Sequence, residues 1–195
     1  MRSPLLYDAV MAPFERTVLG RMRALAFGSA RGRVLEIGGG TGCTLAHYRD
    51  VASVTLTDAR FGMLRRARSR MQAVTFPVHP AVSAAGALPF GPATFDVVVV
   101  SLAFCTIPEP AKAFAEIRRV LRPDGELRML EHVRVERPST ARLQDFLTPG
   151  WRRISGGCRL NRPTIETAQR CGFEPVEVRY EMGGWLAIAR MKPVR

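Results

Sequence analysis

The chain has 195 residues, of which 47% are apolar, and this predicts one globular domain rather than a disordered segment. Its net charge is +12, and 27 of its 29 basic residues are arginine, which suits either an anionic partner or an ordinary solvated surface. Apolar runs stay far below the ~20 residues of a membrane span. Carboxylates at Asp8 and Glu15 argue against a secretory signal, so we expect a cytoplasmic protein.

Residues 5–27 carry apolar side chains at helical spacing and predict a helix that precedes the main domain. The apolar positions are Leu6, Val10, Phe14, Val18, Met22 and Leu25. Arg16, Arg21 and Arg23 fall elsewhere on the helical wheel, and Pro13 breaks or kinks the helix. This pattern fits a lid packed on the domain, which we favour, or a basic amphipathic helix on a membrane surface. We therefore divide the chain into an N-terminal helical lid, residues 1–30, and a main domain, residues 31–195.

The remaining chain alternates strand-like and helix-like segments, which is typical of an α/β fold with a mostly parallel sheet. The predicted strands cover residues 33–37, 54–57, 73–78, 95–101, 125–132, 173–180 and 185–191. The predicted helices cover residues 43–49, 61–71, 109–121 and 164–171, with a looser stretch before the last of them. The four residues between the final two strands are a hairpin-length connection, so the sheet should end in an antiparallel pair.

A glycine-rich segment joins the first predicted strand to the next helix, running from Glu36 through Gly38, Gly39 and Gly40 to Gly42. Glycines at this place let the backbone approach a ligand closely, and the helix N-terminus offers free N–H groups. The spacing differs from the dinucleotide-binding fingerprint. No Gly-Lys-Ser/Thr sequence follows, which excludes a P-loop nucleotidase.

Asp58 ends the second predicted strand, 20 residues after Gly38. An acid at this position can accept two hydrogen bonds from a ribose diol, although it could instead cap the helix that begins near Phe61. The strand over 95–101 should deliver residues 101–104 to the carboxyl edge of the sheet, where ligands bind in open α/β folds. Together these features favour a nucleoside-binding site.

The order of these motifs resembles the class I S-adenosylmethionine-dependent methyltransferases over about residues 31–135. The matching segments are the glycine-rich segment, Asp58, and residues 88–90, 95–98 and 118–125. Further segments are similar to the small-molecule methyltransferases that include membrane-associated thiol S-methyltransferases, namely residues 102–105, 131–133, 144–151, 157–162 and 171–173. The type-11 group, with its quinone and phospholipid methylators, is a more distant likeness.

This resemblance implies a Rossmann-like fold, with a seven-stranded, mostly parallel sheet that ends in an antiparallel hairpin. It also implies S-adenosylmethionine as the cofactor, with the glycine-rich segment at its amino-acid end and Asp58 at its ribose. Ala59 and Met63 would lie near the adenine, and Ser101 and Leu102 would border the sulfonium. The implied cofactor-binding residues are Glu36, Gly38, Gly39, Gly40, Gly42, Asp58, Ala59, Met63, Ser101 and Leu102.

Methyl transfer requires an acceptor atom aligned behind the methyl group, and a base is useful only when the acceptor keeps its proton. Glu131 and His132 end the fifth predicted strand and are the candidate catalytic bases, unless they orient the neighbouring loop. In this fold the insertion before the last helix usually walls the acceptor pocket. Its candidate residues here are Gln144, Asp145, Trp151 and Arg162.

The four cysteines, Cys43, Cys105, Cys158 and Cys171, form no C-x-x-C pair and show no zinc-ligand spacing with a histidine. The sequence therefore predicts reduced thiols and no bound metal. Cys105 and Cys158 are expected to be small buried side chains or pocket thiols.

We therefore expect a methyltransferase that acts on a small lipophilic acceptor: a thiol, a phenol or quinol, or a lipid-like molecule. The net charge leaves a nucleic-acid methyltransferase as an alternative, but no Asn-Pro-Pro-Tyr type motif follows the fourth strand and aromatics do not alternate with the arginines, so no nucleic-acid partner is expected. A non-catalytic cofactor-binding protein is another, because residues 83–86 replace the family's adenine-contacting acid. Peripheral membrane contact through the N-terminal helix and homo-oligomerisation both remain open.

Overall fold

The computed structural model of the protein describes residues 15–194. Within them, seven strands form one sheet in the order β3-β2-β1-β4-β5-β7-β6. The strands are β1 (Arg31–Ile37), β2 (Asp50–Asp58), β3 (Val78–Val82), β4 (Phe95–Ser101), β5 (Leu121–His132), β6 (Phe173–Glu181) and β7 (Leu186–Pro193). Only β7 runs against its neighbours, pairing antiparallel with both β5 and β6. The predicted mostly parallel, seven-stranded sheet with an antiparallel C-terminal hairpin is confirmed.

Five α-helices and one π-helical turn of the described chain pack around this sheet. They are α1 (Gly20–Phe27), α2 (Phe61–Gln72), α3 (Pro110–Val120), α4 (Pro138–Ile154) and α5 (Thr164–Arg170), with a π-helical turn at Glu15–Leu19 leading into α1 as the sixth helical segment. None of these described helices is long and apolar enough to cross a membrane.

The core has two layers because the central strands are buried on both faces. Successive valines of β4 alternate between them: Val98 and Val100 face α3 and α5, whereas Val97 and Val99 face α1 and α2. β1 pairs with β2 on one side and with β4 on the other. The sheet therefore grows from β1 in one direction through β2 and β3, and in the other direction from β4. In open α/β sheets this switch point forms a crevice at the carboxyl ends of the strands.

Two predicted elements around β2 and β3 are wrong. The predicted helix over 43–49 is only a short 3-10 turn at Leu45–His47, because Tyr48 already has an extended backbone, with a ψ of 139°, and leads into β2 at Asp50. The predicted strand over 73–78 lies instead at Val78–Val82. Val74 and Phe76 pack against the core from the connection after α2, so their apolar character was mistaken for a strand.

The looser stretch predicted after β5 is the 17-residue helix α4. Pro149 and Gly150 inside it read as helix breakers in the sequence. The hydroxyl of Thr148, the residue before the proline, donates to the carbonyl of Gln144 at 2.6 Å, one turn back along the helix. Hydrogen bonds between the Gln144 side chain and the backbone of Val133, Val135 and Leu160 fasten this helix and offset its poor local propensity.

The N-terminal prediction is partly wrong. The buried positions are Leu19, Met22, Arg23, Ala26 and Phe27, whereas Val18 and Leu25 are exposed. Residues that are four positions apart are offset by about 40° around an α-helix. Over several steps the predicted apolar residues therefore turn away from a single face of the helix. Residues 1–14, with Leu6, Val10, Phe14 and Pro13, lie outside the described residues, and the choice between a lid and a membrane contact stays a prediction.

Candidate functional site

The predicted cofactor residues lie together at the carboxyl ends of β1, β2 and β4. The glycine-rich segment follows β1, Asp58 ends β2, and Ser101 ends β4. The backbone N–H of Gly39 donates to the carbonyl of Thr57 at 2.9 Å, which ties the segment to the end of β2. The fold therefore gathers at one crevice residues that are up to 66 positions apart, from Glu36 to Leu102.

Asp58 is buried, and its carboxylate is bound from two directions. One oxygen accepts from Gly40 N at 3.1 Å, and the other accepts from Arg60 N at 2.8 Å. A carboxylate has about four lone-pair sites, so these two bonds leave acceptor capacity for a ribose diol. The helix-capping alternative is not seen, because the residue at the start of α2 is Arg60 and it has no side-chain cap.

The glycine-rich segment needs glycine at Gly38. Its φ is +65°, and a Cβ there would lie 2.5 Å from the Cβ of Ala103, in the connection after β4. Only glycine adopts this conformation without strain and allows the two loops to touch. This contact joins the glycine-rich segment to the loop that follows Ser101.

Glu36 is the buried acid at the end of β1. One of its oxygens accepts from the Tyr48 hydroxyl at 2.9 Å, while Oε1 is buried with no hydrogen-bond partner among the described residues. Burial raises the pKa of Glu36 to about 7, although Thr44, Tyr48 and the charge of Arg23 oppose this shift. An unpartnered carboxylate oxygen beside the glycine-rich segment suits the ammonium group of an amino-acid ligand.

Arg23 was missed as a site residue by the sequence analysis, which placed it on the polar side of the N-terminal helix. Its side chain is only 4% exposed, and it donates to Thr44 at 3.0 Å and to Ser101 at 2.5 Å. A guanidinium between the loop after β1 and the end of β4 brings a fixed positive charge to the crevice. No local sequence signal marks it, since a single arginine on an amphipathic helix is typically solvated.

Met63 and Ala59 take different positions in the predicted adenine region. Met63 is buried, with its methyl group 3.4 Å from the place of a Cβ on Gly40, whereas Ala59 is exposed. Leu102 has a φ of +53°, a left-handed conformation that is strained for a branched residue. That strained residue stands at the predicted sulfonium position.

Glu131 acts on the same loop from β5. It is fully buried, and its Oε1 accepts from Ala103 N at 2.8 Å and from Phe104 N at 2.9 Å. Leu102 N donates to the carbonyl of Leu130 at 2.7 Å, so three successive N–H groups are fixed by the end of β5. Burial raises the pKa of Glu131 to about 7. This geometry favours the orienting role over the role of a free base.

His132, the second predicted base, lies beside two cysteines. Its Nδ1 is 3.6 Å from Sγ of Cys158, and Cys105 shares a hydrogen bond with Cys158. That bond and the neighbouring His132 lower the pKa of Cys158 to about 5, whereas the same bond and burial raise the pKa of Cys105. The arrangement makes Cys158 the more acidic of the two thiols.

The four residues expected to wall an acceptor pocket divide by role. Gln144 is buried and bonds the backbone of Val133, Val135 and Leu160, and so it fastens α4 to the chain after β5. Asp145 forms a two-pronged ion pair with Arg134. The other two, Arg162 and Trp151, contact the loop after β4 and Cys158.

Arg162 donates to the carbonyl of Phe104, so it braces the loop after β4 from the side opposite Glu131. Trp151 is 41% exposed and contacts the thiol of Cys158. A cavity of about 340 Å³ lies between residues 134–142 and Glu166, and it shares no lining residue with the glycine-rich segment. Of the residues predicted on the acceptor side, the structure brings His132 and Trp151 together at Cys158.

The donor set fits the implied cofactor at each charged end. Glu36 offers an unpartnered acceptor for an ammonium group, Arg23 offers positive charge for a carboxylate, and Asp58 retains acceptor capacity for ribose hydroxyls. The assignment of individual residues to the cofactor stays a prediction.

The comparisons with known proteins agree with this geometry. A family model described as a methyltransferase domain matches residues 35–129. The human thiol S-methyltransferase TMT1B is 30% identical over 171 residues, which cover 84% of this chain and 69% of that protein. A phosphatidylethanolamine N-methyltransferase from Cereibacter sphaeroides is 35% identical over 139 residues, covering 67% of this chain and 68% of that protein. The solved YcgJ protein from Bacillus subtilis shares the fold, with a TM-score of 0.70 at 21% identity over 91% of this chain and 97% of that one.

Proposed function

The chain belongs to the class I S-adenosylmethionine-dependent methyltransferases, and from that premise we propose that its acceptor is a small lipophilic thiol, methylated on sulfur. The enzyme uses S-adenosylmethionine and a small-molecule acceptor. The acceptor atom is the part that the proposal adds.

The position of Glu131 carries the proposal. Its Oε1 holds two backbone N–H groups, so its main task is to shape the loop after β4 rather than to remove a proton from an acceptor. A thiol has a free pKa of about 8.5 and ionises in part without help, whereas an alcohol or phenol needs a positioned base. A site whose buried carboxylate already holds two backbone N–H groups through one oxygen therefore suits sulfur best.

The chain's own residues supply binding and alignment. When bound, S-adenosylmethionine supplies a methyl group on a positively charged sulfur, which a nucleophile takes in line. Arg23, Glu36 and Asp58 hold the charged and hydroxyl-bearing parts of the cofactor. Glu131 and Arg162 fix the loop after β4, which sets the floor against which the acceptor is aligned.

An exposed apolar surface on α4 supports a lipophilic acceptor. It consists of Leu143, Phe146, Leu147 and Trp151, with Phe146 81% exposed. Large apolar side chains clustered on one surface helix mark a place where an apolar molecule binds. Trp151 links this surface to Cys158, and so to the acceptor side of the crevice.

Acceptors that differ only in the acceptor atom test the proposal. Purified protein is given S-adenosylmethionine with 1-hexanethiol, 1-hexanol or hexylamine, and release of S-adenosylhomocysteine is measured. We expect turnover with the thiol at least ten times that with either analogue. The Asp58→Ala variant is the blank. Faster turnover with hexanol or hexylamine would reject sulfur as the acceptor atom.

A further inference from the structure

We propose that Cys105, His132 and Cys158 bind a single zinc ion. The three side chains come from separate places in the chain: the loop after β4, the last residue of β5 and the segment after α4. Their sulfur and nitrogen atoms nevertheless all lie within 4.8 Å of one another. The spacing in the sequence conceals this group, because its members are 27 and 26 residues apart.

The separation within the group matches a tetrahedral zinc site. Zinc bonds of about 2.3 Å to sulfur and about 2.1 Å to nitrogen place the two ligand atoms roughly 3.6 Å apart across a tetrahedral angle. Nδ1 of His132 lies 3.6 Å from Sγ of Cys158. The observed separation is therefore the one that a zinc ion bound to both atoms requires.

The type of ligand selects the metal. Two thiolates and an imidazole are soft and borderline donors, which favour zinc over magnesium and calcium. Cys105 and Cys158 are 2% and 6% exposed, and they pack with Leu160 and Trp185 in a small apolar cluster. This shell lowers the polarity around the two sulfur atoms, which strengthens the attraction between a cation and two thiolates.

The surrounding residues hold the ligands in place. Glu131 and Arg162 fix the backbone on either side of Cys105, through Phe104 N and the carbonyls of Phe104 and Ile107. Arg159 N also donates to the carbonyl of Cys105 at 3.0 Å, which joins the Cys158 segment to the Cys105 loop. Such outer contacts are what a preorganised metal site requires.

Three protein ligands leave a fourth tetrahedral position for water or substrate, as at catalytic zinc sites. The ligand class for that position is a thiol, and this step rests on the proposed function. A thiol R–SH that enters releases its proton to solvent and stays bound to zinc through sulfur. Zinc binding by the three side chains does not itself depend on the identity of the acceptor.

Metal content tests the site directly. The full chain is purified with a reductant, dialysed against zinc and then against metal-free buffer, and zinc is measured by mass spectrometry. We expect about one zinc per chain, and cobalt in its place should show thiolate-to-metal charge transfer and tetrahedral ligand-field bands. Cys158→Ser and His132→Asn should lose the bound ion. Cys171→Ser, at a cysteine outside the group, should retain it.

Several outcomes would overturn the proposal. They are a fully reduced protein that retains no zinc, equal zinc retention by Cys158→Ser and Cys171→Ser, or an intact mass that shows a Cys105–Cys158 disulfide in protein prepared with reductant. Circular dichroism of each variant checks that it is folded, and a folded Cys105→Ser variant replaces any that is not. Zinc binding together with preferred methylation of hexanol would reject the thiol acceptor and keep the metal site.

Discussion

Two buried glutamates, Glu36 at the end of β1 and Glu131 at the end of β5, stand on opposite sides of the crevice and have different partners. Glu36 is bound by side chains, the Tyr48 hydroxyl and the nearby charge of Arg23. Glu131 is bound by backbone N–H groups of the loop after β4. Burial raises the pKa of both to about 7, and each has one oxygen without a hydrogen-bond partner among the described residues.

The difference between these partners shows that one fold uses two buried glutamates in different ways. On the cofactor side, the charges and the glycine-rich backbone are arranged for a charged ligand. On the proposed acceptor side, the carboxylate of Glu131 shapes a strained loop, and the His132 imidazole and the thiols of Cys105 and Cys158 lie next to it. The same residue type therefore serves ligand binding in one half and loop geometry in the other.

The largest expected effect is a loss of cofactor affinity when a residue on the cofactor side is replaced. Asp58→Ala removes the acceptor for Gly40 N and for the ribose, and charge-assisted hydrogen bonds are each worth about 1.5–3 kcal/mol. We expect S-adenosylhomocysteine to bind at least 100-fold more weakly by isothermal titration calorimetry. Asp50→Ala, at the exposed opposite end of β2, is the matched control. Equal affinities of the two variants would contradict the assignment of Asp58.

The pH dependence of stability tests the buried charge of Glu36. Its pKa in the folded protein, about 7, lies above the usual 4.5, so the folded state binds the proton more tightly. Stability should therefore be fully present below about pH 4.5 and should fall as the pH rises through about 7. Glu36→Gln should remove the part of this fall that Glu36 causes, a gain of about 3 kcal/mol at pH 8 relative to pH 4.5, and leave the part that Glu131 causes.

Urea unfolding at several pH values measures this difference. The exposed Glu174→Gln variant controls for the loss of one negative charge. A stability difference between Glu36→Gln and the unmodified protein that stays constant from pH 4.5 to pH 8 would show that Glu36 is not the titrating group.

A smaller effect is expected for Glu131. Glu131→Ala leaves the N–H groups of Ala103 and Phe104 without an acceptor in a buried place, which costs about 2 kcal/mol in the free energy of unfolding. Glu131→Gln keeps an acceptor oxygen and should retain most of that stability. Urea titration of both variants at one pH compares them. If alanine and glutamine are equally well tolerated, the loop is held by other contacts.

The smallest expected effects have opposite signs in the two halves. Gly38→Ala should lower the free energy of unfolding by at least about 1 kcal/mol, because φ is +65° and the new Cβ meets Ala103. Gly150→Ala, inside α4 with no atom within 4 Å of the new Cβ, should raise it by about 0.5–1 kcal/mol. Thermal unfolding of both variants measures the pair, and a loss of stability in Gly150→Ala would argue against a regular helix there.

The sequence by itself determined most of the strands and the place of the glycine-rich segment and Asp58 at one edge of the sheet. The motif from Glu36 to Gly42 is contiguous, and Asp58 follows at a fixed distance along the next strand, so strand periodicity alone places them at one edge. The antiparallel end of the sheet also followed from local signals, since a four-residue connection cannot join parallel neighbours. These features depend on short, contiguous stretches of chain, so a local sequence pattern is enough to predict them.

Only the tertiary structure decided α4 and the side-chain contacts around the ends of β4 and β5. α4 forms despite Pro149 and Gly150, Arg23 is buried between two loops, and Glu131 binds a loop 27 and 28 residues before it. Cys105, His132 and Cys158 meet only because the ends of β4 and β5 are neighbours and the chain after α4 returns to them. Contacts between distant segments arise from packing and desolvation, and these leave no periodic mark in the sequence.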